Sequence, residues 1–213
     1  GPDAMANLIE LALLGADNPF HIGSEQFDDN LGTLARGLGN LAKQPGVEHP
    51  ALRHLLETEI GDAQFREWEM PFDSDNNFWS YLAPRGPFQS VDEYERYLAR
   101  LQDIPRYFAE HKANARAGLA RGFSVPRVTL EGRDVSLASY VVDAPEKSAF
   151  WAPFAVIPAQ RIPDKEAARL QAEGREAIAT MVIPAFRDFL AFYRREYLPQ
   201  TRTTLGASAF PDG

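Results

Sequence analysis

The chain has no cysteine, which excludes disulfides, thiolate nucleophiles and Cys-ligated zinc sites. That absence suits reducing and oxidising compartments equally, so it leaves location open. Net positive charge is also lacking. Lys and Arg total 22 against 30 Asp and Glu, a formal charge of −8, whereas a nucleic-acid partner needs a basic face to neutralise phosphates. No apolar run approaches the roughly 18 residues that suggest a membrane span. Phosphate-binding loops, the dinucleotide glycine fingerprint and the Gly-x-Ser-x-Gly nucleophile elbow are missing as well. Histidine is scarce: His21, His49, His54 and His111. His49 and His54 fall about 140° apart around a helix, without the i, i+4 spacing and intervening glutamate of a His-Glu-x-x-His zinc helix. These two and His21 read as loop and surface residues, and His111, on an apolar stripe, as a satisfied core histidine.

What is present suits a folded domain. At 213 residues, 45% apolar and 24% charged, the chain is long enough to bury one sizeable core. Residues 1–5, GPDAM, read as a remnant of tag removal and carry no fold information; 6–213 reads as a single helical domain. Short helices are expected over 7–14, 31–41 and from His49-Pro50 through Phe65 and Trp68. The clearest stretch is 90–122. Ser90 and Glu93 form a capping box, and Val91, Tyr94, Leu98 and Leu101 follow at helical spacing. Asp103 and Pro105 suit the start of a second helix carrying Ile104, Phe108, His111, Ala115 and Leu119, which Arg121-Gly122 would end. A helical hairpin is the expected result. Val125 to Val142 alternates like a strand pair yet also repeats at helical spacing, and periodicity does not choose. Residues 143–163, with four prolines, read as a connecting loop. From Asp164 to Leu198 a long helix is expected, its stripe made of Leu170, Ala177, Met181, Ala185, Phe189, Phe192 and Glu196, widened by Ile178, Val182 and Tyr193, with Pro184 kinking it. The fold class is therefore all-α, an irregular helical bundle with a long kinked C-terminal helix and loops rich in proline and aromatic residues.

One of those loops, 69–89, holds Phe72, Phe78, Trp79, Tyr81 and Phe88 beside three prolines. Such a loop packs down against the rest, the plainer reading, or lines a cleft. Paired carboxylates such as Glu67, Glu69, Asp73 and Asp75 offer acid–base chemistry in principle, but 30 acidic residues in a helical protein are mostly solvated faces.

Three blocks, 62–83, 94–135 and 183–213, resemble the bacterial family known as domain of unknown function 885. Members are all-helical and similar to zinc-dependent peptidases of the His-Glu type, and the resemblance tips Val125–Val142 towards helix. It also implies a longer architecture, in which a His-Glu pair and a Pro-Gly-His-His segment lie downstream of the stretch ending in PDG. Neither occurs here, so no catalytic residue and no metal ligand is assigned. The zinc is expected in the missing C-terminal part. On this reading the chain is the non-catalytic N-terminal helical region of such a peptidase, a scaffold and one wall of a cleft for a peptide substrate. Trp79, Tyr81 and Arg85 are the wall candidates, because flat apolar faces and a guanidinium suit a peptide and its carboxylate. The alternative is a stand-alone helical binding module without enzymatic activity. A bundle lacking its other half would expose apolar helix faces and could form a homodimer through them.

Overall fold

The computed structural model describes residues 65–72, 78–83 and 88–210. The expected helices over 7–14 and 31–41, and most of the one from residue 49, lie outside these residues, as do His21, His49, His54, Asp73, Asp75 and Arg85. Within them the fold is all-α, with no strand. Six α-helices run in order: α1 (Val91–Ala120), α2 (Asp134–Ala138), α3 (Ala152–Ala155), α4 (Asp164–Ala177), α5 (Ile183–Phe192) and α6 (Leu198–Gln200). Short 3-10 turns fill the connections, and none of the described helices is long and apolar enough to cross a membrane.

The expected hairpin over 90–122 is instead one helix. α1 runs for 30 residues with Pro105 inside it, about 45 Å at 1.5 Å per residue. Its ends are those the sequence announces. Ser90 Oγ accepts the Glu93 N–H, and the Glu93 carboxylate accepts the Gln89 N–H. Gly122, at φ +75°, closes the other end, with the Phe123 N–H bonded to Gly118 O and the Gly122 N–H to Leu119 O, the paired bonds of a Schellman motif. The proline is carried because the buried stripe continues through it: Leu101 and Ile104 before, Tyr107, Phe108 and His111 after. On the outer face Asp103 caps nothing; together with Glu110 it holds Arg106 across the proline. Tertiary packing thus outweighs a local cost of about 3 kcal/mol in an isolated helix.

The C-terminal run handles its prolines differently. Two π-helical turns, Ile178–Val182 and Tyr193–Tyr197, link α4 to α5 and α5 to α6. Pro184 and Pro199 follow each by two residues, and the residue just ahead of each proline, Ile183 or Leu198, donates its N–H five residues back. A widened turn accommodates the carbonyl that the proline cannot serve. Through the two turns the buried face runs Ala177, Ile178 and Val182, then Phe192, Tyr193 and Tyr197. Ile178, Val182 and Tyr193, expected to widen the stripe, are fully buried, whereas Met181 is exposed and Glu196 faces Arg116 at the surface.

The core lies between α1 on one side and α4, α5 and their π turns on the other. The proline-rich 143–163 is more than a connection, because Phe150, Trp151, Phe154 and Ile162 enter that core. Tyrosines fix it there. Tyr94 donates its hydroxyl to Pro153 O (2.8 Å), Tyr97 to Phe150 O (2.9 Å) and, further along, Tyr193 to Leu130 O (2.6 Å). Irregular backbone has no ladder of its own, so the first two hydroxyls satisfy carbonyls that burial would otherwise strand, and the third adds to the Arg133 N–H already on Leu130 O. The ambiguous 125–142 is helical, as a 3-10 turn Arg127–Thr129 and then α2. The helix expected through Phe65 and Trp68 does not run through these residues: Arg66 has φ +53° and the chain tightens into a 3-10 turn at Glu67–Glu69.

Candidate functional site

The described parts of the aromatic loop are packed down. Phe72 and Leu82 are buried, and the 3-10 turn Phe78–Tyr81 is pinned from two sides. On α1, Phe78 stacks on the His111 ring at 4.0 Å between centroids and 13° between planes, with Tyr107 meeting the same imidazole edge-on at 4.5 Å. Towards α2, the Trp79 indole N–H donates to Ser136 Oγ at 3.0 Å. That polar handle explains how a tryptophan only 1% exposed is tolerated here. The ring itself packs on Phe72 and Phe189.

Of the three residues singled out as a wall, Trp79 lies in this core, Tyr81 stands 64% exposed at the end of the turn, and Arg85 lies outside the described residues. Trp79 and Tyr81 sit two apart in one short turn and so face differently: one anchors, the other offers surface. The Trp79–Ser136 bond brings the turn beside α2, whose Val135 is also exposed. Ser136 gave no signal in the sequence, because a serine 57 residues from its partner has no pattern to reveal it.

The His, Tyr and carboxylate groups with resolved shifts are not poised for proton transfer near pH 7. Burial pushes His111 down to about 3, so the ring is neutral near pH 7. It lies in the core, as its place on the apolar stripe predicts, and neither nitrogen has a hydrogen-bond partner among the described residues, so ring stacking is what meets it there. Burial likewise pushes Tyr107 and Tyr193 up to about 12. Among the described carboxylates with a resolved shift, Asp143, Glu146 and Glu196 all move down, through hydrogen bonds from Lys147, Arg175 and Arg116 respectively. None of these three is kept protonated as a general acid would need. Glu69, a candidate carboxylate, is buried and bound by Arg121 and Arg66, and Arg121 also donates to Phe65 O at 2.6 Å. It clamps the 65–69 turn to the end of α1. Among the described residues no group of three or more His, Asp or Glu side chains is placed to hold a metal ion.

An all-α assembly with a stacked aromatic turn on its longest helix is thus the class that fold and site define. The chain belongs to the bacterial family of proteins of unknown function DUF885, whose model matches residues 26–213. No curated protein and no solved structure matches it.

Proposed function

We propose that this chain is the non-catalytic N-terminal helical region of a zinc-dependent peptidase, a scaffold that lends one wall to a peptide-binding cleft. The observation that carries the wall is the doubly pinned Phe78–Tyr81 turn, which holds the exposed Tyr81 ring on a rigid base. Tyr81 and Arg85 would meet the peptide, and Trp79 would position Tyr81 from beneath. The described residues do not fit a zinc ion, since His111 is enclosed by rings and no three-donor group stands near it. On this reading the metal belongs to a part of the enzyme outside them.

The test uses a full-length enzyme containing this region. Tyr81→Ala and Arg85→Ala are expected to raise KM about five- to tenfold with kcat nearly unchanged, the signature of lost uniform binding. Unchanged KM and kcat in both variants would remove the wall. A second reading, a self-sufficient binding module, draws on the closed aromatic core between α1, α4 and α5. A monomer by light scattering that melts cooperatively favours it, whereas association through exposed apolar faces favours a scaffold separated from its other half.

A further inference from the structure

We propose that His111 is an acid-responsive latch, which keeps the Phe78–Tyr81 turn seated on α1 while its imidazole is neutral and releases the turn when it takes up a proton. The proposal stands whether or not the turn forms a cleft wall. The imidazole lies face to face with Phe78 at 4.0 Å and edge-on to Tyr107 at 4.5 Å, is 4% exposed, and makes no hydrogen bond through either nitrogen to any described residue. A neutral imidazole behaves in this niche as one more aromatic ring. An imidazolium would carry two N–H donors that no described residue receives, in a niche only 4% exposed. Its attraction to the Phe78 face is real, but smaller than the cost of an unpaired buried charge.

The neighbouring ionisable groups offer no rescue. On α1, Glu110 gives one carboxylate oxygen to Arg106 and buries the other without a partner among the described residues, but as the adjacent helix residue it points about 100° away from His111. Lys112 is held by Asp188 of α5, where Arg187 is exposed. Tyr107 stays un-ionised across the range concerned. In the turn itself, Tyr81 is directed to the surface. Among the described residues, burial alone sets the proton affinity of His111.

The sign follows from linkage. The seated ring takes a proton only near pH 3, against 6.5 for an ordinary histidine. Between those values the released state binds more protons than the seated one, so seating is at full strength above pH 6.5 and weakens about tenfold per unit below it.

Because the chain has no cysteine, a single Leu82→Cys places a unique buried thiol just past the turn. Its reaction with dithiodipyridine, a reagent that works in acid, reports release. The reaction, corrected against a free thiol, is expected to accelerate on the order of tenfold from pH 7 to pH 5, and adding His111→Phe should flatten that rise while leaving the other acidic and basic groups in place. An equal acceleration with and without His111→Phe would overturn the latch, as would no acceleration at all. If His111→Phe does not fold, His111→Gln serves in its place, being neutral throughout. An independent reading comes from the His111 ring protons by NMR in the intact chain: titration near pH 6 with the turn still seated would also overturn it.

Discussion

Gly118 lies directly against the backbone of Glu69. A Cβ added at Gly118 would sit 2.1 Å from the Glu69 carbonyl oxygen and 2.9 Å from that of Phe123. Both neighbours are main chain and cannot swing aside. Alanine normally stabilises a helix interior by about 1 kcal/mol over glycine, but here the clash outweighs it. Gly118→Ala is expected to cost about 2–3 kcal/mol in urea unfolding and to loosen the 65–69 turn. A stability equal to or above wild type would show that the turn does not sit there.

Gly174 stands in the same relation to Phe154. Its added Cβ would meet three ring atoms at 2.7–2.8 Å, and the ring is a rigid neighbour enclosed by Tyr94, Tyr97 and Trp151. Gly174→Ala should cost about 1–2 kcal/mol net of its helical gain. Combined with Phe154→Leu, the two losses should fall short of additive, because the smaller side chain makes room. Strict additivity would separate the two residues.

These contacts mark where sequence reading stopped. The ends of α1 were legible because capping residues act locally: Ser90, Glu93 and Gly122 do their work within a few residues. Pro105 misled, since its local cost is visible in the sequence while the stripe that overrides it is assembled from distant elements. Helical spacing puts Ile178, Val182 and Tyr193 on the buried face, where they are, but also Met181, which the π turn Ile178–Val182 leaves exposed. The even split over 125–142 was broken by family resemblance alone. Of the candidate site, an aromatic loop pressed onto the core was readable from composition. Ser136, the carbonyls that receive the tyrosine hydroxyls, and the unsatisfied nitrogens of His111 depend on tertiary neighbours that no spacing encodes.

The tyrosine hydroxyls give a third prediction. Tyr97→Phe removes the donor to Phe150 O, and Tyr193→Phe removes the shorter of two donors to Leu130 O, leaving it the Arg133 N–H at 3.2 Å. Each should cost about 1–2 kcal/mol at pH 7. Breaking the exposed Arg96–Asp92 pair with Arg96→Ala should lose much less, since a solvated i, i+4 pair contributes little. Losses of equal size would mean that the hydroxyl bonds are not structural.

The Glu69–Arg121 pair gives a fourth. Glu69 keeps only 5% of its side chain exposed and Arg121 24%. Arg121→Met leaves a buried carboxylate with only the more exposed Arg66 at 3.2 Å, and should cost about 2–3 kcal/mol. Glu69→Gln combined with Arg121→Met should restore part of that loss, because the stranded charge is then gone. A double variant no better than the single would place the loss in packing, including the Arg121 guanidinium over the Phe123 ring at 4.0 Å.

The proposed function makes this chain a frame and leaves any metal chemistry to residues outside it. Calorimetric titration of the purified 213-residue protein with zinc tests that most directly. Weak, sub-stoichiometric heats, unchanged by substituting His21, His49, His54 and His111, are the predicted result. One zinc bound tightly per chain, and lost when any of those histidines is replaced, would contradict it.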